Sequence, residues 1–121
     1  MSEDTALAFA RDSLRSIWSL ELLAVLKARP EKQWAFEELE RELRATPQIV
    51  RKAAHTLASL GIATGGNAGF CQYAPYDPRT DATVSELLQL YILKPTSVMK
   101  AIYASPADRI QTFAEAFKIK D

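Results

Sequence analysis

Apolar residues recur at three- and four-residue spacing along most of this chain, and the runs are separated by prolines at 30, 47, 75, 78, 95 and 106 and by one glycine-rich window from 61 to 69. That punctuation predicts helices joined by short connectors. Leu7, Ala10 and Leu14 mark a short amphipathic start, with a break at the serines Ser13 and Ser16. Ile17, Trp18, Leu20, Leu22, Leu23, Val25 and Leu26 are then too dense for a surface helix, so this segment is expected at the centre of the domain, buried on most sides. Beyond Pro30, Gln33-Trp34-Ala35 reads as extended, and Phe36, Leu39 and Leu43 as the stripe of a short helix.

The stretch 46–61, TPQIVRKAAHTLASLG, carries a start signal and a stop signal. Thr46 suits the cap of a first turn, Pro47 the first helical position, and Gly61 a left-handed terminator. Val50, Ala53, Ala54, Leu57, Ala58 and Leu60 make the apolar stripe, and Gln48, Arg51, Lys52, His55 and Ser59 the opposite face. That face holds donors, acceptors and positive charge without one carboxylate, which permits approach to phosphates. A surface helix with a few ordinary Lys and Arg is the competing reading.

Ile62-Ala63-Thr64 and Phe70-Cys71-Gln72-Tyr73 are expected to pair across the glycine- and asparagine-rich turn as a β-hairpin, with Cys71 and Tyr73 inward and Phe70 and Gln72 outward. After Asp77-Pro78, Thr80, Val84, Leu87, Leu88 and Tyr91 share a helical face, with Ile92 and Leu93 close to it; Lys94-Pro95 starts another helix with Val98, Met99, Ile102 and Tyr103. Ser105-Pro106-Ala107-Asp108 resembles a capping box, leading into Ile110, Phe113, Ala114 and Phe117. Three such stripes exceed what a small domain hides, so a second subunit is expected to cover them.

Buried helix, extended stretch, helix, short turn, second helix and hairpin follow in this order from about 17 to 76, with FEELERELRATPQIVRKAAHTLASLGI at the centre. The order resembles the winged helix-turn-helix domain of bacterial transcription regulators. The resemblance implies a mostly α fold with a small β-hairpin, divided into a winged helix-turn-helix domain with its N-terminal helix (1–76) and a C-terminal helical dimerisation extension (77–121). It further implies that the helix at about 47–60 is the recognition helix, entering the major groove, with Thr46, Gln48, Arg51, Lys52 and His55 facing double-stranded DNA. Ala35 stands where a Ser or Thr cap often precedes the first helix of the pair, and 65–69 lacks Lys and Arg on the wing.

Composition changes this picture in three ways. The 121 residues and 48% hydrophobic content suffice for one real core. Fifteen basic and fifteen acidic side chains cancel, so polyanion binding has to come from a local patch. The single cysteine, with neither a secretory pattern nor an apolar run long enough to span a bilayer, makes a reducing cytoplasm the simplest address and membrane association unexpected.

Chemistry beyond binding finds little support. His55 and Cys71 are the sole His and Cys, too few for a zinc site of the usual kind. Glu37, Glu38, Glu40 and Glu42 read as a solvated helix face rather than an acid/base pair, and 65–69 leads into a strand rather than a phosphate-cradling helix. Trp18, Trp34, Tyr91 and Tyr103 are candidate lining for a pocket between the winged domain and the C-terminal helices, with ordinary core or interface packing as the competing reading. No enzyme activity, cofactor or metal is expected, and nothing names a small-molecule effector. A DNA-binding transcriptional regulator acting as a homodimer is the first reading. A winged-helix interaction or dimerisation module without DNA binding is the alternative.

The stripe at 110–117 yields a test. Burying two Phe and an Ile contributes about 1.5–3 kcal/mol each before ordering costs, and a symmetric pair doubles it. The double substitution Phe113→Asp and Phe117→Asp, or truncation after Ser105, is expected to turn a dimer into a monomer with the rest still folded. Sedimentation reads the outcome, and an intact chain that is monomeric at about 10–50 micromolar would rule out this interface.

Overall fold

A computed structural model of the chain describes residues 3–65 and 69–104. Six α-helices and a three-stranded antiparallel sheet follow in the order α1 (Glu3–Phe9), a π-turn (Ala10–Leu14), α2 (Ile17–Ala28), β1 (Trp34–Ala35), α3 (Phe36–Leu43), α4 (Pro47–Ser59), β2 (Ala63–Thr64), β3 (Phe70–Tyr73), α5 (Pro78–Leu93) and α6 (Pro95–Tyr103). The fold among these residues is therefore mostly helical with a small sheet.

The first helix does not stop at Ser13. It widens into the π-turn and ends at Arg15, which adopts a left-handed φ of 63°, with its N–H donating to Ala10 O. Ser16 then caps α2, its Oγ accepting from Ser19 N at 3.1 Å. α2 is central, as its density of apolar side chains demands: Leu20, Leu22, Leu23 and Leu26 are fully buried. α4, α3, β3 and the π-turn pack around it.

The hairpin pairs Ala63 with Tyr73 and Thr64 with Gln72. The extended Trp34-Ala35 adds a third strand, β1, which pairs Trp34 with Cys71 and Ala35 with Phe70, so that β3 lies between β1 and β2. Cys71 and Tyr73 point into the core while Phe70 and Gln72 are half-buried. Ala35 has no side chain with which to cap α3. The helix supplies its own substitute: Glu38 Oε1 accepts from Ala35 N at 3.0 Å, and Lys32 Nζ holds Glu38 Oε2 at 3.0 Å. That backbone bond first, and Lys32 second, keep the Glu38 carboxyl below its usual range.

Two expectations need correction. At about 100° per residue, Ile92 and Leu93 turn off the stripe that runs through Val84, Leu87 and Tyr91, and they stand 79% and 73% exposed. The stripes of α5 and α6 also find cover within their own chain, because α1 lies against both helices and the π-turn against α6. Lys94 Nζ reaches Glu3 at 3.4 Å across this contact. Residues on both sides of position 76 belong to one buried cluster, from Ala6 and Leu20 to Leu87 and Ile102. The third stripe, Ile110, Phe113, Ala114 and Phe117, lies outside the described residues.

A polar contact ties α2, β3 and α5 together. Asp81 of α5 accepts from Lys27 Nζ at 2.9 Å and from the Tyr73 hydroxyl, and Lys27 Nζ lies 4.9 Å from the Tyr73 ring centroid. The Tyr73 hydroxyl, then Lys27, hold the Asp81 carboxyl below its ordinary value. Burial and the Asp81 charge push the Tyr73 phenol up. A carboxyl lowered on folding adds stability that is complete above its unfolded pKa and lost as pH falls through its folded one. Urea midpoints of the wild type and Asp81→Asn are therefore expected to differ most near neutral pH and to converge as pH falls below about 4. A gap that stays constant down to acid would show that the Asp81 charge adds no stability.

Candidate nucleic-acid interface

α3 and α4 are joined through Arg44, Ala45 and Thr46. Arg44 takes a left-handed φ of 54° and Ala45 N donates to Glu40 O at 3.0 Å, which closes α3 and turns the chain sharply. Thr46 Oγ1 accepts from Ile49 N at 3.3 Å, and Pro47 occupies the first helical position. At the far end Gly61, at φ 75°, donates to Ala58 O, and Ile62 donates to Leu57 O. A Cβ at Gly61 would meet the Tyr76 ring at 2.6 Å, so the terminator requires glycine for space as well as for conformation.

Between these caps α4 has two distinct sides. Val50, Ala53, Ala54 and Leu57 are buried against α2 and α3, whereas Thr46, Gln48, Arg51, Lys52, His55 and Ser59 are exposed. No acidic residue occurs from 47 to 59. Elsewhere Arg11, Lys27, Lys32 and Lys94 are all held in ion pairs. The side chains of Gln48, Arg51, Lys52 and His55 have no hydrogen-bond or ion-pair partner among the described residues. Their donors face solvent and are free for a ligand.

The carboxylates of α3 compete less than their number implies. Glu38 is occupied with Lys32 and the Ala35 N–H, Glu40 is half-buried, and Glu37 and Glu42 are exposed. Exposed Arg41 and Arg44 flank the same turn. On the hairpin, Gln72 Nε2 donates to Pro30 O at 3.3 Å, which commits that side chain to the domain. The turn positions 66–68 lie outside the described residues.

A groove of about 720 Å³ runs between the start of α2 and α4. Arg15, Ser16 and Trp18 line one side, with Ile49, Lys52 and His55 on the other. Lys52 and His55 thus belong to both the exposed helix face and the groove, while Gln48 and Arg51 stand outside it. Of the four aromatics expected around a pocket, Trp18 alone lines this groove, and it does so against α4 rather than against the C-terminal helices. Trp34 is buried in the sheet, Tyr103 is exposed, and Tyr91 donates to Glu21 Oε1 at 2.7 Å. Burial, then Glu21, push the Tyr91 phenol up to about 12. Arg15 was invisible as a groove residue in the sequence, because only the unpredicted left-handed turn carries its side chain there.

Other chemistry has no assembled site here. Among the described residues no three His, Cys, Asp or Glu side chains gather as metal ligands, and no helix is long and apolar enough to cross a membrane. Cys71 is fully buried and His55 exposed, so the two are not presented on one surface. Compared with known proteins, the chain matches no family model, no curated protein and no solved structure.

Burial pushes the Cys71 thiol up to about 11, so it is protonated and inert in the folded chain. At pH 8 it is expected to resist a disulfide reagent until urea unfolds the protein, and Cys71→Ala is expected to cost about 1 kcal/mol. Rapid labelling of the native chain would assign the thiol a chemical role.

Proposed function

We propose that this chain is a winged helix-turn-helix transcriptional regulator that binds double-stranded DNA through α4. The order α2, β1, α3, α4, β2, β3 supports the winged-helix reading, with α4 as recognition helix and the β2–β3 hairpin as wing. One observation carries the function: α4 presents Gln48, Arg51, Lys52 and His55 exposed, unpaired and without a neighbouring carboxylate on the helix. Arg donates bidentately to a guanine edge and Gln pairs with adenine, while Lys and His reach phosphates. Thr46 sits at the helix start, where an N–H or hydroxyl contacts the backbone. The active form in this reading is a homodimer, so that two α4 helices address half-sites about one DNA turn apart, a spacing of about 34 Å.

The second reading, a winged-helix interaction module without DNA binding, draws on the zero net charge and on the absence of Lys and Arg from 65 to 69. Retention of mixed genomic fragments across a salt series separates the two. DNA binding predicts retention that falls steeply with salt. Arg51→Ala is then expected to weaken the preferred site by about 1–3 kcal/mol and to relax one base position, whereas Lys52→Ala weakens all fragments alike. No retention at low ionic strength would leave the interaction module.

A further inference from the structure

The groove beside α4 has a composition that the DNA-binding reading does not use. Its volume of about 720 Å³ suits a small organic ligand rather than a single ion. Trp18, Ile49 and Leu60 give it apolar walls, and Arg15, Lys52 and His55 surround them with nitrogen donors. A neutral apolar guest would strip water from those donors without replacing it. An inorganic anion would leave the indole and aliphatic surface uncovered. Both demands are met by a flat ring bearing one carboxylate.

The backbone here is also shaped in an uncommon way. The groove is bordered by the π-turn and by Arg15 in its left-handed conformation, features that concentrate at ligand sites. Arg15 Nε donates to Asp12 O at 3.0 Å, which holds the guanidinium beside the groove. Its two terminal nitrogens carry no partner among the described residues and offer a carboxylate the fork geometry it prefers. Asp12, the one carboxylate on the lining, is occupied by Arg11, which contacts both of its oxygens at 2.8 and 2.9 Å.

We propose that the groove between the start of α2 and α4 binds a small aromatic carboxylate, and that the bound ligand, by covering Lys52 and His55, competes with DNA. The binding stands on the groove alone. The competition rests on the DNA-binding reading above.

Calorimetry of the full chain without DNA, using 2-naphthoate and its neutral isostere 2-naphthamide, tests the first half. The acid is expected to bind about tenfold more tightly than the amide, and Arg15→Gln to lose about tenfold. In a nitrogen-15 spectrum the indole N–H of Trp18 is expected to shift and that of Trp34 to stay. Equal affinities of acid and amide, an unmoved Trp18, or an Arg15→Gln chain that binds like the wild type would overturn the site; the amide comparison needs no variant to fold. Inorganic phosphate binding as tightly as naphthoate would overturn its aromatic character. Adding naphthoate to a retained DNA fragment is expected to release it. Naphthoate binding without any DNA retention would overturn the regulator and the competition while leaving the site, and DNA retention without naphthoate binding would overturn the site alone.

Discussion

The rest of the structure depends on the need to cover α2. A twelve-residue helix with Leu20, Leu22, Leu23 and Leu26 fully buried has little surface left for water. Neighbours are therefore required on most sides, and each element that answers is held in place by the requirement. α4 lays Val50, Ala53, Ala54 and Leu57 into the core, β3 contributes Cys71 and Tyr73, and the π-turn adds Leu14. Small residues at 53 and 54 let α4 approach α2 closely, as ridges-into-grooves packing needs. The exposed face of α4 follows from this burial: once one side of the helix is committed, Gln48, Arg51, Lys52 and His55 can only point outward.

The N-terminal helix has a second role, as the cover for α5 and α6. Ala6 and Ala10 are fully buried, and Val84, Leu87, Val98 and Ile102 belong to the same buried cluster. α5 is in turn tied back to α2 by Tyr91 with Glu21 and by Asp81 with Lys27. The first and last described helices thus close one core. What they leave uncovered is small and lies at the end of α5 and on α6: Ile92, Leu93 and Tyr103.

Local charge decides what the surface can do, because the total is zero. Among the described residues Arg11 is spent on Asp12, Lys27 on Asp81, Lys32 on Glu38 and Lys94 on Glu3, and such pairs at the surface contribute little to stability. Their effect on the potential is larger, since paired charges cancel within a few ångströms. Arg15 and Lys52 remain uncancelled by any ion pair among the described residues and, with His55, stand along one groove, while Arg51 is unpaired on the outer face of α4. That concentration, rather than net charge, supports both the polyanion reading and the small-anion site.

Helix positions, their caps at Thr46 and Asp77, the Gly61 stop and the inward register of Cys71 and Tyr73 were legible in the sequence, because periodicity and capping are local properties of a few consecutive residues. So was the membership of the outer face of α4. Three other features were decided only by tertiary contact. Trp34-Ala35 became a strand because β3 offered it an edge, Glu38 took the capping role that Ala35 cannot, and α1 covered the stripes of α5 and α6. The groove belongs to the same class: Lys52 and His55 meet Arg15 and Trp18 across a long separation in sequence, brought there by a left-handed Arg15 that no residue preference announces. Local spacing determines which way a side chain faces on its own helix, whereas the neighbours it faces depend on how the whole chain buries α2.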